Sequence, residues 1–136
     1  MRLDALTIPH DAQRYNTVGD YYYPYKGHVR FRISELGNED YEFLVLLHEI
    51  VEEYLCRKAG ISEAEITSWD LAHAYSPDPG SEAGCPYGMQ HTAASSIESA
   101  MASLLAVNWA DYEAEIAACC EKGQGPEPPD EELANA

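Results

Sequence analysis

The sequence predicts an α+β fold, a small N-terminal antiparallel sheet packed on a body of three to four helices. Three observations carry that expectation. The front of the chain alternates apolar and polar residues, the later part repeats apolar residues at helical spacing between cap signals, and 136 residues can bury one core but hardly two. A single domain over residues 1–122 follows, with 123–136 left as a tail.

Val29, Phe31 and Ile33 alternate with Arg30 and Arg32, the pattern of a half-buried strand. Tyr21, Tyr22 and Tyr23 supply its hairpin partner across a turn at residues 24–27, although Pro24 blurs the strand end. A short strand from Leu3 to Ile8 joins these two. Asn38 then caps a first helix whose opening Glu39 and Asp40 sit at the positive end of the dipole and whose stop is Gly60. Its inner stripe reads Tyr41, Leu44, Val45, His48, Val51, Glu52 and Leu55, so a histidine and a carboxylate point where the leucines point.

Ser62 and Glu65 form a capping box for a second helix that carries Ile66, Trp69, Asp70 and His73 to about Tyr75. Residues 76–88 hold three prolines and three glycines and are read as an irregular loop. A third helix runs from Met89 to Val107 with His91, Ala94, Ser95, Glu98, Met101, Ala102 and Leu105 on its inner face. The Ala and Ser content of that helix lets a neighbour approach closely. Asn108 caps a fourth helix through Trp109, Tyr112, Ile116 and Cys119, and beyond Gly123 the Pro- and Glu-rich stretch has too little to bury and is expected to be disordered.

The 24 acidic residues against 8 basic ones give a formal charge of −16. That charge opposes direct binding to nucleic acid or to an anionic membrane, and the longest apolar run, Phe43 to Leu47, is too short to cross a bilayer. The start, Met1-Arg2-Leu3-Asp4-Ala5, lacks the pattern of a secretory signal, so a cytoplasmic protein is expected. Cys56, Cys85, Cys119 and Cys120 form no Cys-x-x-Cys pair and are read as free thiols, with Cys85 kept as a remote ligand candidate. His10 and His28 read as ordinary surface residues.

The chemistry lies in His48-Glu49-Ile50-Val51-Glu52, because a histidine and a carboxylate four apart on a helix stack on one face. With His91 from the third helix, His48 and Glu52 make a two-histidine, one-carboxylate set suited to zinc, iron or manganese. Glu49 is placed as general base, and Asp70 as fourth ligand or support. Ligating histidines hand their second ring nitrogen to a carboxylate or carbonyl, and Asp70, Glu98, His73 and Tyr41 are the candidates for that role. Glu98 stands two turns from His91 on the same stripe, which is too far along the axis to share its shell without help from helix packing.

Residues 37–112 resemble a group of small proteins of tailed phages and prophages that has no settled activity. The resemblance rests on Tyr41-Glu42-Phe43-Leu44, His48-Glu49-Ile50-Val51-Glu52, Trp69-Asp70-Leu71-Ala72, Pro86-Tyr87, His91 and Val107-Asn108-Trp109-Ala110-Asp111-Tyr112. Those chains carry a His-Glu-Leu-Val-Glu helix, a downstream Asp and a later Glu-His. Here Gln90 replaces the Glu before the histidine. The resemblance implies phage origin and a shared site.

A weaker similarity is to zincin metallohydrolases, whose helix reads His-Glu-x-x-His; Glu52 stands at their second histidine and leaves a peptidase assignment in doubt. His-Asp phosphohydrolases and Glu-x-x-Glu nucleotide pyrophosphatases are fainter matches to Glu49 and Glu52. The expected function is a metal-dependent hydrolase-like protein acting on a peptide or a small molecule, either a nucleotide or a signalling molecule. The competing expectation is a non-enzymatic acidic protein that inhibits a host defence factor by imitating DNA toward a basic partner, and a third keeps the metal only as a staple for a small core.

Overall fold

The computed structural model describes residues 1–121, so the expected tail lies outside the described residues. Three strands, β1 (Arg2–Ile8), β2 (Gly19–Tyr25) and β3 (His28–Ser34), precede four helices, α1 (Glu39–Lys58), α2 (Glu63–Ala72), α3 (Gly88–Leu104) and α4 (Trp109–Glu121). The α+β architecture is the expected one. No described helix is long and apolar enough to cross a membrane.

The sheet differs from expectation in the direction of one strand. β3 lies in the centre; β2 pairs with it antiparallel, but β1 pairs with it parallel, Leu3 opposite Val29 and Thr7 opposite Ile33. Alternation fixes which side chains face inward and is silent on strand direction. The direction is set by the connection 9–18, which carries the chain past the end of β3 before β2 begins. Gln13 anchors that connection, its side-chain amide donating to Val18 O, Arg32 O and Ser34 Oγ at 3.3, 3.2 and 3.1 Å. Pro24 falls inside β2, where the register shifts between Tyr22 and Tyr25 on a strand at the sheet edge, a place that tolerates a missing N–H.

α1 begins where expected, with Asn38 Oδ1 accepting from Tyr41 N at 3.1 Å, and ends at Ala59 before Gly60, whose φ of 76° suits glycine. Its buried face is turned by one position: Glu53 and Cys56 are inside, whereas Val51 and Leu55 are half-buried. The reason is that Glu53 is held by Tyr23 Oη and Arg57 Nε, both at 2.8 Å. α2 stops at Ala72, earlier than expected, and α3 stops at Leu104, the chain turning at Ala106 with φ 57°.

One side of α1 packs on β2 and β3 and another on α3. Gly19 makes the first contact close, since a Cβ there would fall 2.6 to 2.9 Å from Glu49 and Val45 atoms. Two apolar clusters result. One joins Tyr21, Val29, Phe31, Cys56, Ile66 and Tyr87; the other joins Ile33, Leu44, Val45, Ala102 and Tyr112. On α1 the polar residues His48 and Glu52 fall between the anchors of the two clusters, Val45 on one side and Cys56 on the other.

Candidate metal centre

α1 and α3 run antiparallel, so rising from His48 to Glu52 on α1 corresponds to descending from Glu98 to His91 on α3. Glu52 Oε2 lies 3.1 Å from His48 Nε2 and 2.9 Å from His91 Nδ1. One donor atom from each of His48, Glu52 and His91 lies within 4.8 Å of the others, the only such set of His, Cys, Asp and Glu among the described residues. The expected trio therefore converges. Cys85 is not in the set, and all four cysteines are free thiols.

Each imidazole gives its other nitrogen to a second carboxylate. His48 Nδ1 meets Glu98 Oε1 at 2.7 Å, and His91 Nε2 meets Asp78 Oδ1 at 2.9 Å. This is the outer arrangement that fixes the tautomer and orientation of ligating histidines. Glu98 is in turn held by the buried Tyr112, whose Oη donates to Oε2 at 2.6 Å. Helix packing brings Glu98, one of the expected outer partners, across to His48 and not to His91.

Asp78 and Tyr112 were not singled out for the site by sequence reasoning. Asp78 lies in the Pro/Gly loop between α2 and α3, which Trp69 fastens by donating from Nε1 to Pro79 O at 2.8 Å. Gly80 lets the loop lie on the His91 ring, where a Cβ would come within 2.4 to 2.7 Å of ring atoms. The available signal was an aspartate between two prolines, a rigid setting close in sequence to His91.

Asp70 does not join the trio. Its carboxylate accepts from Tyr15 Oη at 3.1 Å and from Tyr87 Oη, and the Tyr87 ring stands edge-on to His91 with centroids 6.2 Å apart. It supports the site through Tyr87. His73 is turned elsewhere, its Nδ1 donating to Trp69 O at 2.9 Å and its ring stacked on Trp69. Tyr41 packs on Tyr112, with ring centroids 5.2 Å apart. His10 bonds Ser34 and Asn16, and His28 is buried rather than superficial, facing Asp4 at 3.2 Å.

Electrostatics follow from this crowding. Burial works against a charged His48, but hydrogen bonds to Glu52 and Glu98 outweigh it and raise the imidazole to about 11. For His91 burial is likewise overcome, by Asp78 and Glu52, and the value rises to about 9. Burial pushes Glu52 up, yet its two imidazole partners hold it below the ordinary carboxylate range. Glu49, packed against Gly19, is pushed well above that range by burial and then by Glu52. Burial, with Glu52 and Asp20 nearby, lifts Asp70 to about 6 against the two tyrosine hydrogen bonds.

The donor set, neutral imidazole nitrogen twice and carboxylate once, suits a borderline divalent ion such as zinc or ferrous iron and leaves a coordination position for a water or substrate oxygen. Comparison with family models, with curated proteins and with solved structures finds no match to this chain.

Proposed function

We propose that this chain is a metal-dependent hydrolase-like protein working in the cytoplasm, in line with the phage origin that the sequence resemblance implies. His48, Glu52 and His91 hold one divalent ion of zinc, iron or manganese, and Glu49 is the base. The observation that carries the reading is the double partnership of each imidazole: one nitrogen on Glu52, the other on Glu98 or Asp78. A divalent ion there supplies Lewis acidity to a water and to the electrophile. Glu49 lies one residue round the helix from His48, and a cation beside it would oppose the burial and the Glu52 charge that favour its protonated form, leaving a carboxylate able to accept a proton. Asp70 positions Tyr87 against His91 and is not a ligand in this reading.

Metal analysis of the full chain purified without chelator tests the reading. About one equivalent of Zn, Fe or Mn is expected for a three-ligand site, lost in His48→Ala and His91→Ala. A metal-free protein that binds none on addition sinks the proposal.

The second reading, an acidic inhibitor of a basic host partner, is favoured by one feature: between Lys58 and Lys122 the chain has ten Asp and Glu and no Lys or Arg. Its signature is binding that weakens steeply with salt and is indifferent to His48→Ala.

A further inference from the structure

The surroundings of the candidate centre discriminate between the substrate classes open to such a hydrolase. Three carboxylates, Glu52, Glu98 and Asp78, already face the two imidazoles, so a single divalent ion leaves the centre net negative. Phosphoryl transfer needs cationic clamps to offset the charge on the non-bridging oxygens. The elements supplying His91, Asp78 and Glu98 fall in the stretch without Lys or Arg. Arg14 is turned inward, its guanidinium bidentate on Asp20 at 2.7 and 2.8 Å and 3.2 Å from Glu63, while Arg30 is engaged by Asp4 and Arg57 by Glu53.

Beside His91 the surface opens into a depression whose other walls are Ser81, Thr92, Ser95, Ser96 and Ser99. Hydroxyls donate and accept without charge, so they match amide, ester or sugar groups and bring no positive charge to a phosphate. Thr92, Ser95, Ser96 and Ser99 follow His91 along α3, and Ser81 lines the depression from the preceding loop.

We propose that the centre takes an uncharged or cationic carbonyl compound, an amide or ester, and rejects phosphate esters. The inference rests on the metal reading above. A carbonyl substrate develops its negative charge on a single oxygen, which one ion can stabilise, whereas a phosphate brings charge that this acidic setting repels. The hydroxyl-lined depression is the lane for the remainder of the substrate.

The test uses the full chain loaded with cobalt(II), whose visible absorption reports ligand entry. Acetamide, a neutral carbonyl ligand, is expected to perturb the spectrum at concentrations below those needed for inorganic phosphate. Added salt narrows the gap by screening the repulsion. Ser95→Lys, which brings a cation into the depression, is expected to improve phosphate entry severalfold. Cobalt bound in stoichiometric amount with phosphate entering as readily as acetamide overturns the inference and leaves the metal reading standing. Cobalt bound with neither ligand entering also overturns it and makes the ion structural. Failure to bind cobalt removes both.

Discussion

Glu98 and His48 lie fifty positions apart in sequence and 2.7 Å apart across the α1–α3 interface, with Tyr112 of α4 fastening the far oxygen of the carboxylate. The fourth helix thus reaches the candidate centre through two hydrogen bonds. Glu98→Gln should lower metal affinity by roughly 10- to 100-fold, the usual loss for an outer partner of a ligating histidine. Competition against a chromophoric chelator measures it, and unchanged affinity in a folded variant would show that Glu98 only fills space. Tyr112→Phe should act in the same direction and less strongly.

Metal uptake should expel protons. In the metal-free protein His48 and His91 are raised to about 11 and about 9, so both are cationic at neutral pH and both must lose a proton to ligate. Calorimetric titration in buffers of different ionisation enthalpy should therefore show about two protons released per ion at pH 7. Release of none would contradict the assignment of these imidazoles as ligands.

The same shifts set the pH response of the metal-free fold. Folded values above the unfolded 6.5 mean that the two histidines stabilise the protein fully below that value and progressively less as pH rises through about 9 and then 11. Thermal unfolding in chelator should fall across pH 7 to 10, and His91→Gln should flatten the lower part of that decline.

Arg14 is 2% exposed, and its removal would leave, among the described residues, buried Asp20 with only the more distant Arg32 at 3.9 Å and Glu63 with only the Thr67 hydroxyl at 2.8 Å. Arg14→Ala is expected to cost about 3–5 kcal/mol in urea unfolding, the range for breaking a buried ion pair from one side. A loss under about 1 kcal/mol would mean that the carboxylates find water.

Glycine positions offer a test of the close approaches. Gly80→Ala places a methyl within 2.4 to 2.7 Å of the His91 ring, so the loop must retreat and Asp78 with it. Reduced metal affinity and faster proteolysis within 76–88 are expected together. Gly19→Ala should destabilise by about 1–3 kcal/mol through overpacking; wild-type stability would show that Glu49 swings aside freely.

Three of the four described helices announce themselves with a cap, since Asn38, Ser62 and Asn108 all accept the backbone bond their position implies, while α3 has no side-chain cap and was legible from the spacing of its residues alone. His48, Glu52 and His91 were legible because a four-residue step on one helix is a fixed geometry and the alanines of α3 permit contact. Strand direction was not legible, since alternation is identical in parallel and antiparallel pairing. Glu98 was legible as an outer partner, but which histidine it serves was not, because that histidine lies on the antiparallel neighbour. Asp78 was missed because a loop has no period from which to read its side chains.

The absence of Lys and Arg between Lys58 and Lys122 governs how the molecule can be interrogated. Trypsin has no target in α2, in the loop that covers His91, in α3 or in α4, and would return residues 59–122 as one piece however far that loop opens. Amine-reactive labels would leave the same half untouched. Digestion beside Tyr75 or Tyr87, or after Glu82, is the cleavage chemistry that can register movement over the centre.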